Sequence, residues 1–253
     1  MSTLANARAV LELIVARGRE ITVSDVVAEL GVPKSSASRT LSEMAKHGLL
    51  VRDSSRAYRP APLVISAAQV AGGSRSVLAV LEESLEVLVA ATGYTGYVNV
   101  LDGRDSVVLL LRMGSNVLQA HTPPGYRAPA FATSMGRAIL SRSDRATALG
   151  DPRLGADYGS APSTAEELGE DLDIVLRRGW SYSRGEYVDG VFGVSAAVRD
   201  PATGQVHGIG IAIASDEVAP QLRDEMGAAV RAAAGKAGRA IGDDYWVSGP
   251  DGR

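Results

Sequence analysis

Apolar positions in the first sixty residues recur at intervals of three and four. Leu4, Ala7, Val10, Leu11 and Ile14 predict one helix, ended by Gly18. Val23, Val26, Val27 and Leu30 predict a second, opened by Thr22 with Asp25 as the acid of a capping box. Gly31 breaks the chain, and Pro33, whose missing N–H costs nothing at a helix start, opens a third helix over Lys34–Lys46. Its Ala37, Leu41, Met44 and Ala45 form an apolar stripe. Ser35, Ser38, Arg39, Ser42 and Lys46 form a second stripe of small hydroxyls and cations, with Lys34 and Ser36 at its start. After Gly48 the period shortens. Leu49–Val51 and Ala57–Arg59 read as two strands around a polar turn, closed by Pro60 and Pro62. Three helices with a tight glycine turn, followed by a hairpin carrying Arg52, Arg56 and Arg59, predict a winged helix-turn-helix.

Beyond it, Leu63–Val70 predicts a short linker helix that ends at Gly72-Gly73, the expected hinge. A helix follows from Val77 to Leu88. Tyr97–Leu101 and Val107–Leu111 predict one hairpin, and Phe192–Arg199 with Val206–Ala214 a second. Thr133 should cap a helix after the Pro- and Gly-rich stretch from Pro123 to Pro129. Ser163 and Glu166 should open another that Gly179 terminates, and an Ala-rich helix runs from Pro220 to Ile241 before a loose tail. Helices on an antiparallel sheet make the body α+β. The expected organisation is a head over residues 1–60, a linker over 61–75 and a body over 76–253.

Composition narrows the chemistry. The chain has 253 residues and no cysteine, so thiolate metal sites, disulfides and thiol nucleophiles are excluded. Three scattered histidines make no paired-ligand motif, so neither a metal nor a cofactor is expected. No apolar run reaches spanning length, and the first twenty residues carry charges through their apolar part, which reads as a cytoplasmic protein without a membrane partner. The net charge of −3 hides an asymmetry. Residues 1–60 hold nine Lys/Arg against six Asp/Glu, so the head is basic and the remainder acidic. A face of serines with Arg39 suits phosphates and base edges, since small hydroxyls approach closely and a guanidinium forks onto guanine or phosphate.

The stretch PKSSASRTLSEMAKHGLLVRD resembles the head of the IclR family of bacterial transcription regulators, with Arg39 on the recognition-helix arginine, Gly48 on the turn glycine and Thr40 a departure. Two further stretches resemble that family's effector-binding domain: AFATSMGRAIL, with Arg137 in place of a lysine, and the segment from Arg177 to Ser215. The resemblance implies a GAF-like body that binds a small effector, homodimers through head and linker, and tetramers through the bodies. It also implies a ligand-responsive regulator of double-stranded operator DNA, more often a repressor.

Carried over by position, the effector walls would be Ser183, Glu186, Gly193, Ala212 and Ala214, facing the Phe131–Gly136 loop with Phe131, Ser134, Met135 and Gly136. Amides of Ser134, Met135 and Gly136 at a helix start favour an anion. Gly193, Ala212 and Ala214 stand where relatives carry polar groups, so a wider, more apolar pocket is expected. It would take an aromatic or otherwise hydrophobic carboxylate or amide, with Tyr94, Tyr97, Phe131, Met135 and Tyr182 as apolar walls. Ala197 replaces a strand proline of the family. The rival reading is a small-molecule hydrolase or ligand-processing enzyme with Ser134 as nucleophile and His121 as base. It lacks an acid partner at a sensible spacing, and no Gly-x-Ser-x-Gly elbow or phosphate loop occurs; Gly208-x-Gly210 lies within a strand and lacks a third glycine.

Overall fold

The computed structural model describes residues 3–71, 77–215 and 218–249. The chain forms two compact units, one made mainly of the residues before Val77, the other of Val77–Thr122 and Tyr126 onward.

In the first unit, α1 (Thr3–Arg17), α2 (Val23–Leu30) and α3 (Lys34–Lys46) precede a hairpin of β1 (Leu50–Arg52) and β2 (Tyr58–Pro60). The predicted capping box opens α2: Thr22 Oγ1 accepts from the Asp25 amide at 3.3 Å, and Asp25 accepts from the Thr22 amide at 2.7 Å. Gly31 closes it in the left-handed region, at φ 63°. Helix α3 has the expected bounds, with Pro33 as its cap residue, which makes no side-chain cap bond. Of the predicted α1 face, Val10 and Ile14 are buried and Ala7 and Leu11 pack against the same core; Leu13 joins them, whereas Leu4 is exposed. Ala37, Leu41 and Met44 enter that core beside Val26, Leu50 and Tyr58. The wing gains a third short edge, since Ile21 and Tyr58 exchange amide hydrogen bonds of 3.0 and 2.7 Å. The linker is helical as α4 (Pro62–Ala71); the Gly72-Gly73 hinge lies outside the described residues.

The second unit is built on an antiparallel sheet of six strands in the order β5-β4-β3-β8-β7-β6. These are β3 (Thr95–Asp102), β4 (Asp105–Arg112), β5 (Arg127–Pro129), β6 (Ser181–Arg184), β7 (Val191–Arg199) and β8 (Val206–Ala214). Alternation sorts the two faces. Phe192, Val194, Ala196 and Val198 of β7, with Ile209 and Ile213 of β8, pack in one core with α5 (Val77–Thr92) and α9 (Pro220–Ile241). The intervening positions are small: Gly193, Ser195 and Ala197 on β7, then Gly208, Gly210 and Ala212 on β8. That face receives α6 (Ser134–Leu140). A Cβ on Gly208 would lie 2.4 Å from Met135 Sδ, so the glycine lets the helix settle directly on the strand. Gly210 makes a similar allowance for Ser195 on the neighbouring strand.

Four elements were not anticipated: β5, β6, α7 (Arg145–Leu149) and α10 (Asp244–Ser248). Each has five residues or fewer, too short for a period to declare itself. As far as Gly249, the last described residue, the tail is not loose. Asp243 caps α10, Tyr245 and Trp246 are buried, and Trp246 Nε1 donates to the Ala197 carbonyl at 2.8 Å. The cap of α8 (Ala165–Arg178) is shifted by one residue: Thr164 accepts from the Glu167 amide, while Glu167 accepts from the Ser163 amide at 2.8 Å.

Candidate functional site

Two surfaces concentrate chemistry, one in each unit. On the first, burial of Ala37, Leu41 and Met44 turns the opposite face of α3 to solvent. Lys34, Ser35, Ser38, Arg39, Ser42 and Lys46 are exposed and Ser36 is half-buried. Among the described residues, Lys34, Arg39 and Lys46 take part in no ion pair, whereas Arg17 and Arg19 are held by Asp25, at 2.8 and 3.1 Å. Arg52, Arg56 and Arg59 are exposed on the wing. Arg52 lies over the Tyr58 ring, 5.5 Å from its centroid. Asp53 builds the turn by accepting from the Ala57 amide at 2.8 Å and the Ser55 hydroxyl at 2.7 Å, and Arg56 takes the left-handed conformation with φ 69°. The helix face and the wing therefore both present exposed cations, with serine hydroxyls on the helix, of the kind that grips phosphate.

In the second unit a cavity of about 190 Å³ opens between the sheet, the start of α6 and the loops on either side. Ser134, Met135, Ser183, Glu186, Gly193 and Ala212 line it, as the sequence led us to expect. Four expected residues lie elsewhere. Phe131 belongs to a separate cluster, edge-on to Tyr158 at 5.4 Å, because the single 3-10 turn Ala130–Ala132 aims it away from the sheet. Tyr182 projects to the opposite face, stacked on Phe192 at 5.9 Å, as alternation along β6 requires. Gly136 is packed against Ala130, whose carbonyl would sit 2.0 Å from an added Cβ. Ala214, paired with Val191 at the end of β8, is not on the wall. Of the other suggested apolar walls, Tyr97 lines the cavity, while Tyr94 packs against the core under α5 and α9.

The wall is mainly apolar, with polar groups at a few defined points. Gly193 does not widen the cavity, because the hydroxyls of Ser134 and Ser183 would lie 2.5 and 2.9 Å from a Cβ there. Ser134 Oγ meets Ser195 Oγ at 3.0 Å. Asn99 and Ser106 add a second polar spot, joined by a 2.9 Å hydrogen bond from Asn99 Nδ2. Tyr97 donates its hydroxyl to the Ala120 carbonyl at 2.6 Å, and burial raises its pKa above the ordinary phenol value. Tyr126 and Tyr187 complete an aromatic side, their rings 6.4 Å apart. Asn99, Ser106, Ser195, Tyr126 and Tyr187 were missed by the sequence reading. An asparagine between Val98 and Val100 was the one available signal.

The anion cradle expected at α6 is partly spent. Thr133 Oγ1 already accepts from the Gly136 amide at 3.0 Å, and the helix is only seven residues long. Behind the wall, Arg137 forks onto Glu186 and reaches the Phe131 carbonyl at 3.0 Å, tying α6 to the loop after β6. His121 lines the cavity as an exposed residue of the rim. The Ser134 hydroxyl is engaged with Ser195.

Comparison with known proteins agrees with both halves. The IclR helix-turn-helix domain model matches residues 3–54, and the model of the bacterial transcriptional regulator IclR C-terminal domain matches residues 70–239. The chain is 22% identical over 213 residues to the HTH-type transcriptional regulator KipR of Bacillus subtilis, covering 83% of this chain and 85% of that one. It is 23% identical to the transcriptional repressor AllR of Salmonella typhimurium, over 80% of this chain and 76% of AllR. An IclR homologue from Microbacterium hydrocarbonoxydans, crystallised with 4-hydroxybenzoate, shares the fold with a TM-score of 0.71 at 20% identity, covering 95% and 99% of the two chains. With both family domains present and in order, this chain belongs to the IclR family of bacterial transcriptional regulators.

Proposed function

We propose that the chain is a ligand-responsive repressor. Lys34–Lys46 and the wing bind operator DNA, and an aromatic or otherwise hydrophobic carboxylate or amide in the 190 Å³ cavity alters that binding. The cavity carries this reading. An engineered apolar cavity of about 150 Å³ accommodates benzene, so this one suits a single substituted ring, with tyrosines against its faces and serines or Asn99 for its polar group. The repressor AllR and the 4-hydroxybenzoate-bound homologue are relatives consistent with such a role.

A lone head would hold DNA only at roughly 10⁻⁴–10⁻⁶ M, whereas specific operators are held at about 10⁻⁸ M or tighter. Pairing supplies the difference by presenting two α3 helices to two half-sites. Leu63 and Ile65, exposed on α4, are apolar surface suited to such pairing, first as a dimer and through the bodies as a tetramer. The ligand acts by preferring one arrangement of the paired heads, and can shift it only by its differential affinity. The protein works in the cytoplasm, where its DNA is; among the described residues, no helix is long and apolar enough to cross a membrane.

The test pairs a thermal-shift screen of single-ring acids and amides with fluorescence anisotropy on DNA flanking the protein's own coding sequence. A compound that raises the melting temperature should also change operator affinity. Ala212→Trp, which fills the cavity, should lose both effects while free-protein DNA binding persists. A full ligand response in that variant would remove the cavity from the account.

A further inference from the structure

The charges around the cavity are already committed, and that limits what may enter. Its lining side chains of ionisable type are Tyr97, His121, Tyr126, Glu186 and Tyr187. His121 is exposed at the rim. Glu186, with a side chain only 6% exposed, is held by Arg137, whose N–H groups meet its two oxygens at 2.5 and 3.2 Å. Arg137 is itself 4% exposed and also faces Asp171 at 3.0 Å. The buried cation next to the cavity thus answers two carboxylates before any ligand arrives. A carboxylate entering here would lie beside Glu186 with no buried cation left to match it, and an unmatched buried charge is strongly disfavoured. The start of the short α6 offers an anion only the amides of Ser134 and Met135, its Gly136 amide being taken by Thr133.

An opposite demand comes from Asn99. It is 7% exposed and lines the cavity; its Nδ2 is bonded to Ser106, and its Oδ1 has no partner. A buried acceptor left unpaired is a cost that a ligand N–H or O–H removes. Resting on the reading that this cavity is the effector site, we infer that it takes its ligand uncharged. The ligand is a single-ring amide whose N–H reaches Asn99 Oδ1 and whose ring lies among Tyr97, Tyr126 and Tyr187, and the matching carboxylate is rejected.

The experiment is calorimetric titration of the full chain with matched pairs: benzamide against benzoate, and 4-hydroxybenzamide against 4-hydroxybenzoate, at pH 8. In each pair that binds, the amide should be at least tenfold tighter, and Asn99→Leu should weaken the amide at least tenfold while leaving the pH dependence of the acids unchanged. Lowering the pH from 8 to 6 should raise the apparent affinity of the acids about tenfold per unit, because only their protonated form, of pKa about 4, is admitted. The amides should stay level. His121→Gln should keep the tenfold slope; a slope that disappears in that variant means a rim imidazolium holds a carboxylate, and overturns the inference. Equal or tighter binding of the acids at pH 8 also overturns it, leaving the effector cavity standing. If neither member of any pair binds, the single-ring reading falls and this inference with it. The matched-pair and pH measurements use the unaltered chain, so the test survives a leucine variant that fails to fold.

Discussion

Arg39 and Arg137 show two uses of one side chain. On α3, Arg39 is exposed, flanked by serines, and joined to no carboxylate among the described residues. On α6, Arg137 is buried and forked onto Glu186, with Asp171 on its other side. The same division runs through both units. Lys34, Lys46 and Arg56 of the head are unpaired among the described residues, while Arg142 of the body is locked onto Asp243 at 2.7 Å. A cation left in water keeps its charge available for a polyanion. A cation taken out of water must be matched at once, and then serves to fix distant segments of chain together.

The largest effect expected from this contrast is in the body. Asp243 is 1% exposed; it accepts from both ends of the Arg142 guanidinium and from the Arg199 amide at 2.8 Å, and caps α10. Asp243→Ala leaves Arg142 buried without a counter-charge, so about 3–5 kcal/mol of stability should be lost. Urea unfolding followed by tryptophan emission reads this unit alone, since both tryptophans, Trp180 and Trp246, lie in it. A loss under 1 kcal/mol would mean that the pair is solvated and the contrast between units is false.

Next in size is Arg39→Ala, which removes a side chain placed to fork onto a base edge, a contact worth about 1–3 kcal/mol of discrimination. Operator affinity should fall roughly ten- to a hundredfold, with the urea midpoint of the body and ligand-induced stabilisation unchanged. Unaltered operator affinity would move the reading face elsewhere on the head.

The two units were also unequally legible. The head could be read almost entirely from local signals, because its helices are set by caps and periodicity within a dozen residues, as at Thr22–Asp25 and Ala37–Met44. In the body the long elements were equally clear, with β8 and α9 ending where the pattern places them. The cavity was not, because its chemistry depends on partners far apart in the chain. Ser134 meets Ser195 across 61 residues, and Arg137 meets Glu186 across 49. Seen alone, Gly193 suggested a missing side chain and a wider site; only the fold reveals two serine hydroxyls in that space. Tyr182 failed for a simpler cause. Its four-residue strand was not recognised, so the alternation that sends it to the other face could not be applied.

A smaller effect tests the carboxylate that caps α2 in the head. Asp25 is lowered from 3.8 to about 2, first by the Thr22 amide, then by the Thr22 hydroxyl, with Arg19 adding less. A depressed folded pKa contributes stability above the unfolded value that is lost as pH falls through the folded one. The window is therefore pH 4 to 2. Because the neighbouring arginines are partly exposed, we expect about 1–2 kcal/mol, in the range of a lost helix cap. Asp25→Asn should lower the melting temperature of the helix-turn-helix unit at pH 6 and converge with the unaltered chain near pH 2. A constant difference across that range would mean that the capping geometry, not the charge, carries the contribution.

The smallest effect discriminates most directly between available and committed cations. Lys46, exposed in the last turn of α3, should touch phosphate rather than a base, so Lys46→Ala should weaken binding to operator and unrelated duplexes alike. Its signature is in the salt dependence. A plot of log affinity against log salt concentration should become shallower by about one unit, the release of one counterion. Arg145→Ala supplies the comparison from the body, where Arg145 is paired with Asp173 at 2.9 Å on a half-exposed surface. That pair is worth little to stability, and its removal exposes Asp173 rather than taking a cation from the DNA. The slope should therefore not move. If Lys46→Ala and Arg145→Ala changed it equally, the basic face of α3 would hold no privileged position, and net charge alone would account for DNA binding.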